Sequence, residues 1–488
     1  MPRSRWRPLA AGVVLCMALA ACNGAMTSSL PGGAQTQNSP QSRAHRGASS
    51  NPIQHVIIVI QENRTFNDLF ATFPGATGST TGYYLKGSGK HKVKTSIALK
   101  ETVLPAPNYN HGSEAYNYDC DGANAYPKTS CAMDGFNLEG VNGNNPSGIG
   151  AYQYVNPTYI QPYWTIAQQY GLADELFQTQ GSASFTAHQD LVHGGSTIVD
   201  TNCGSSEPAC SLIDLPNENR NWGCGAKPNA VTDLLTTAGR FDKLGGPFPC
   251  LTYPDKTMVD LLDGADVSWK YYTPPYKGGT AGAEWNAMAA LSAVYNGPDW
   301  KRNVSIPQSN IYKDISGGTL PAVSWVIPTQ DDSDHPHGLK AADDGPDWIA
   351  SIVNAVGQSN YWGSTAIIVT WDDWGGFYDP VPPAFFDNQG GLGFRVPMLV
   401  VSPYVKQGTI SHTQYEFASI LRFVEDNFNL GRMGTPSFPN NDTRATSMAD
   451  MFDFTTQPRK FTSIPSVLKK QHFMHEKASM EQLDDDDD

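Results

Sequence analysis

Four side chains with oxygen donors fall directly behind two apolar runs. Glu62 and Asn63 follow Ile53 to Gln61 (IQHVIIVIQ), and Asp372 and Asp373 follow Ser364 to Trp371 (STAIIVTW). Carboxylates and an amide oxygen are hard ligands suited to a divalent cation. Two adjacent acids repel each other unless a cation or hydrogen bonds offset the charge, and Gly375-Gly376 behind them permit a tight turn. A helix cap, a salt bridge or a pair of solvated loop acids would use the same residues. A metal centre needs the two runs to be neighbours. Two further segments carry reactive groups. Asp331 to Gly338 (DDSDHPHG) holds His335 and His337, two of only eleven histidines, so their spacing is informative. Imidazole near a metal can bind it, donate to a phosphoryl oxygen or protonate a leaving group. Gly181 to Gln189 (GSASFTAHQ) offers hydroxyls where small polar residues turn apolar, as at a helix N-terminus that welcomes an anion. A nearby metal would make such a hydroxyl a nucleophile.

The elements that must position these groups are legible as hydrophobic runs. Ile53–Ile60, Leu320–Ile327, Ser364–Trp371 and Val396–Val401 are rich in β-branched residues and read as strands buried on both faces. Residues 157–170, 346–356 and 415–428 carry apolar residues at helical spacing, with Pro346 suited to a first turn. Strands alternating with helices predict an α/β fold with a mostly parallel central sheet flanked by helices. In such sheets ligands sit beyond the carboxyl ends of the strands, where Glu62 and Asp372 fall. The stretch from about 200 to 310 is rich in Gly, Pro and Cys and reads as a loop-rich, disulfide-bearing cap or insertion.

The termini read differently. Arg3, Arg5 and Arg7 precede an apolar run that ends Leu19-Ala20-Ala21-Cys22. This predicts a lipoprotein-type signal peptide over 1–21 and a lipidated Cys22. Residues 22–50 read as a flexible tether, residues 51–470 as one catalytic domain, and residues 471–488 as an acidic tail. Export to the cell envelope, with a membrane partner through the lipid anchor, is the expected location. Beyond the leader six cysteines remain: Cys120, Cys131, Cys203, Cys210, Cys224 and Cys250. An even number in an exported chain predicts disulfides, with Cys120–Cys131 a local pair and the other pairings open. A net charge of −14 argues against a nucleic-acid partner.

Taken in order, these segments resemble the bacterial phosphoesterase family of phospholipases C and acid phosphatases, within the alkaline phosphatase-like superfamily. HVIIVIQENRTFNDLF at 55–70 is similar to the family's opening motif. His111 stands ahead of Met133 to Phe136 as a family histidine does. YWTIAQQYGLADELF resembles the helix and strand before the nucleophile, SDHP the His-Pro motif, and TWDDWGGFYD the second acidic motif. RVPMLVVSPYV and ILRFVEDNF match the C-terminal strand and helix. The resemblance implies Glu62, Asn63, Asp372 and Asp373 as ligands of one divalent metal of unknown identity. It implies Ser184 as nucleophile, with Ser182 and Thr186 as alternatives. His111 and His335 become catalytic, and His188 and His337 contact substrate. Three positions depart from the family pattern: Asp373 where Glu is common, Pro380 where His is usual, and Thr186 where Pro is common. The implied activity is phospholipase C-like hydrolysis through a phosphoseryl intermediate, on a phosphoester substrate with phospholipid among the candidates. A phosphomonoesterase, or a non-catalytic surface lipoprotein keeping the fold, are the alternatives.

Overall fold

The computed structural model describes residues 51–477 apart from 127, 142–144, 147, 199–209, 217–222, 228, 237–238, 243–244, 246–249, 279, 337, 339–343, 385–390 and 435–440. Cys22, Cys203, His337 and residues 1–50 and 478–488 lie outside the described residues.

Nine strands build the central sheet: β1 (His55–Gln61), β2 (Gly171–Phe177), β3 (Trp269–Tyr272), β4 (Val304–Ser305), β5 (Val323–Val326), β6 (Thr365–Trp371), β7 (Arg395–Val401), β8 (Thr409–Ser411) and β9 (Tyr415–Glu416). Their order is β4-β3-β5-β1-β6-β7-β2-β8, with β9 also on β2. All neighbours are parallel except at β7, which runs antiparallel to both β6 and β2. Val56 to Ile60 of β1 are fully buried. Each such side chain contributes roughly 1.5–3 kcal/mol relative to exposure, which is why the continuous apolar run is a central strand and not an edge.

Helices Gln161–Gln169 and Gly345–Gly357 pack on each other, as do Ser184–His193 and Phe417–Phe428. The last of these was expected to start at Tyr415. It starts two residues later because Glu416 and Ser419 form a reciprocal cap, leaving Tyr415–Glu416 to pair with β2. Among the described residues no helix is long and apolar enough to cross a membrane.

The stretch from 200 to 310 holds a small antiparallel sheet and the Cys224–Cys250 disulfide; Cys120–Cys131 is also bonded. It is more than an insertion, because β3 and β4 extend the central sheet from it. Helix Lys470–His475 follows, with Phe473 buried.

Candidate functional site

The two acidic segments meet because β1 and β6 are adjacent, parallel and in register. Gln61 stands opposite Trp371, and the Asp372 amide donates to the Gln61 carbonyl at 3.0 Å. Glu62 and Asp372 therefore leave the sheet side by side. The turn is tight. Asn63 has φ 45°, a left-handed conformation that Asn tolerates better than most residues. Gly375 (φ 60°) runs against it, and a Cβ there would lie 2.3 Å from the Asn63 carbonyl oxygen.

Glu62, Asn63, Asp372, Asp373, Ser184 and His188 are all fully buried. Ser184 is the first residue of its helix. Its Oγ donates to Asp373 Oδ2 at 3.0 Å and accepts from Asn63 Nδ2 at 3.0 Å, while Asn63 Nδ2 also reaches Asp373 Oδ2 at 2.7 Å. Of the three hydroxyls considered, this one joins the acidic cluster. Ser182 Oγ has no hydrogen-bond partner among the described residues.

His188 lies one helical turn beyond Ser184, on the same face. Its Nε2 is 2.9 Å from Glu62 Oε1 and 3.8 Å from Asp372 Oδ2. Donor atoms of Glu62, His188 and Asp372 all fall within 4.8 Å of one another and could hold a cation. This group differs from the expected one. His188, expected at the substrate, sits among the donors, and the Asn63 amide nitrogen and Asp373 Oδ2 turn to Ser184.

The electrostatics fit an ion. Burial, then the charges of Asp372, Asp373 and Glu284, push the Glu62 carboxyl well above the usual range. Burial also raises Asp372 and lowers His188 to about 3. Glu62 Oε2, Asn63 Oδ1, Asp372 Oδ2 and His188 Nδ1 have no hydrogen-bond partner among the described residues. Buried oxygens gathered without donors are destabilising, and a divalent cation would offset that.

The histidines arrive on separate loops. His111 Nδ1 donates to the Tyr109 carbonyl at 2.6 Å. Its segment passes so close to Gly376 that a Cβ there would lie 2.4 Å from Tyr109 Cβ. The His111 and His335 rings are 5.9 Å apart, and His335 lies 5.6 Å from Trp285. The His335 loop is pinned to β1. Gln61 donates to the Asp332 carbonyl at 2.9 Å and accepts from the Asp334 amide at 3.0 Å, and Arg64 Nε donates to the Asp334 carbonyl at 2.9 Å. The buried Asp334 carboxylate accepts from Tyr163 Oη and Trp371 Nε1.

Glu284 and Trp285 were not found from the sequence. They lie in an Ala- and Gly-rich stretch of the supposed insertion, where a lone acid was the only signal.

A family model described as the Phosphoesterase family matches residues 53–431. The chain is 24% identical over 429 residues to the hemolytic phospholipase C of Pseudomonas aeruginosa, covering 78% of this chain and 53% of that one. The chain thus spans about half the length of that relative. It is 26% identical over 464 residues to phospholipase C B of Mycobacterium tuberculosis, covering 83% and 78%. A solved structure of an alkaline phosphatase superfamily protein from Vibrio parahaemolyticus is 12% identical, with TM-score 0.33 over 59% of this chain and 65% of that one.

Proposed function

Since the chain belongs to the Phosphoesterase family, we propose that it is a metal-dependent phosphoric ester hydrolase of phospholipase C type, with Ser184 as nucleophile. The observation that carries this reading is the Ser184 hydroxyl held between Asn63 and Asp373, beside the Glu62–His188–Asp372 group. A divalent ion held by those three residues, with Asn63 and Asp373 alongside, would supply charge that lowers the pKa of a hydroxyl and offsets charge on phosphoryl oxygens.

The side chains divide the remaining work. Asn63 orients Ser184 Oγ, and Asp373 Oδ2 takes its proton as the oxygen attacks phosphorus in line. The helix N-terminus adds favourable potential for the anionic group. The bond to the alcohol breaks, and His335 protonates the departing oxygen. The Tyr109 carbonyl holds the Nδ1 proton of His111; protonated at Nε2 as well, the ring would donate to a phosphoryl oxygen. Water, giving its proton to His335, then cleaves the phosphoseryl ester, and Asp373 returns the proton to Ser184.

The Cys120–Cys131 and Cys224–Cys250 disulfides support an exported protein. Cys22 is proposed as its lipid anchor and residues 51–470 as one catalytic domain.

A panel of p-nitrophenylphosphorylcholine, phosphatidylcholine and p-nitrophenyl phosphate, with and without chelator, tests the reading. Chelator-sensitive release from the first two supports it. Turnover of the monoester alone makes the protein a phosphatase, and no turnover of any makes it a binding protein.

A further inference from the structure

A second group of acidic and imidazole side chains lies apart from the Ser184 cluster. Asp344 stands at the start of helix Gly345–Gly357, and His472 and Glu476 belong to the C-terminal helix Lys470–His475 and its cap. Donor atoms of these three lie within 4.8 Å of one another, and His472 Nε2 is 3.6 Å from Glu476 Oε1.

Beneath them is Asp332, fully buried and within hydrogen-bonding reach of the Glu476 carboxylate. Gln308, 6% exposed, donates its amide to Asp332 Oδ2 at 3.3 Å. Three oxygens in this chain of contacts have no hydrogen-bond partner among the described residues: Asp332 Oδ1, Glu476 Oε2 and Gln308 Oε1. Among the described residues no Lys or Arg forms an ion pair with Asp332 or Glu476. Two carboxylates in contact, one fully buried, are destabilised unless something positive lies between them. Single hydrogen bonds from Gln308 and Thr329 meet only part of that need.

We propose that Asp344, His472 and Glu476 form a second divalent-cation site, with Asp332 and Gln308 behind Glu476. Its donors are two carboxylates and one imidazole, carboxylate being the ligand that calcium and manganese prefer. The site would clip the C-terminal helix to the start of helix Gly345–Gly357 and hold Glu476 against Asp332 of the loop that carries His335. Asp332 is three residues from that histidine, and its carbonyl already accepts from Gln61 at the end of β1. A cation here would fix the position of a catalytic loop without touching substrate.

The inference does not rest on the Ser184 cluster binding metal. The test counts ions on the full chain after chelator treatment and dialysis against calcium or manganese, by elemental mass spectrometry. Glu476→Gln combined with His472→Ala changes two partly exposed side chains. It should lose one ion equivalent relative to the parent and weaken the corresponding binding step at least about 10-fold. Asp372→Asn should keep that equivalent. A parent with one ion and a Glu476→Gln/His472→Ala variant with none would still support the second site while removing the first. Equal ion counts and affinities in parent and variant, with both folded by circular dichroism, would overturn it.

Discussion

The hydroxyl of Ser184 and the carboxylate of Asp373 lie 3.0 Å apart although 189 residues separate them. The contact exists because β6 delivers Asp373 at its carboxyl end while the helix after β2 starts at Ser184. Its geometry makes the hydroxyl's proton transferable before substrate arrives. Ser184→Ala should lower kcat by roughly 10⁴-fold or more with an unchanged circular dichroism spectrum. Ser182→Ala should stay within about 10-fold. Steady-state kinetics on p-nitrophenylphosphorylcholine check both, and the reverse ranking would move the nucleophile to Ser182.

Chelator should abolish turnover, and Asp372→Asn should lose activity together with bound ion. Asn63→Ala keeps the Glu62–His188–Asp372 group but loses the donor to Ser184, so it should retain metal while kcat falls roughly 10²–10³-fold. Metal content measured beside kcat separates the two effects. Full activity in a metal-free sample would contradict the electrostatic role assigned to the cluster.

Gly375 takes φ 60° against the Asn63 carbonyl. Gly375→Ala should destabilise the fold by about 1–3 kcal/mol and remove most activity, because Asn63 must shift away from Ser184. Thermal unfolding and kcat report this together, and an unchanged kcat would show that the turn tolerates a Cβ.

How much of this was readable in the sequence depends on the signal each element carries. β1 and β6 are long β-branched runs, and only a parallel, in-register pairing was needed to bring Glu62 to Asp372. β3 is four residues, Trp269–Tyr272, in a Gly- and Pro-rich stretch, too short for a period to emerge. Glu284 has no motif, and its effect on Glu62 arises only when that stretch folds over the sheet. His188 was assigned to substrate because the resemblance put it there. The four-residue spacing from Ser184 predicts a shared helix face, but not that Glu62 waits opposite. Glu476 fell in the expected acidic tail, since six residues of helix ending in a charged run look like solvent.

Glu425 supplies a pH prediction away from the site. Its carboxyl is pushed up to about 8, first by burial and then by the charge of Asp442, with Arg432 opposing. The folded state holds that proton more tightly than the unfolded chain. The stabilisation is therefore full below about pH 4.5 and fades as pH rises through about 8. Glu425→Gln keeps an acceptor for the Met433 amide, which now donates to Glu425 Oε1 at 2.9 Å, and removes the titration. The variant's Tm relative to the parent should rise steadily between pH 5 and 8 in scanning calorimetry. A constant difference would mean that Glu425 is ionised throughout.

The most direct test is to capture the covalent intermediate. The protein is mixed with excess p-nitrophenylphosphorylcholine, quenched in acid within the first turnovers, digested and mapped by mass spectrometry. The account predicts a phosphorylcholine adduct on Ser184, absent from Ser184→Ala and from chelator-treated protein. An adduct on a different residue, or undiminished turnover by Ser184→Ala, would contradict it.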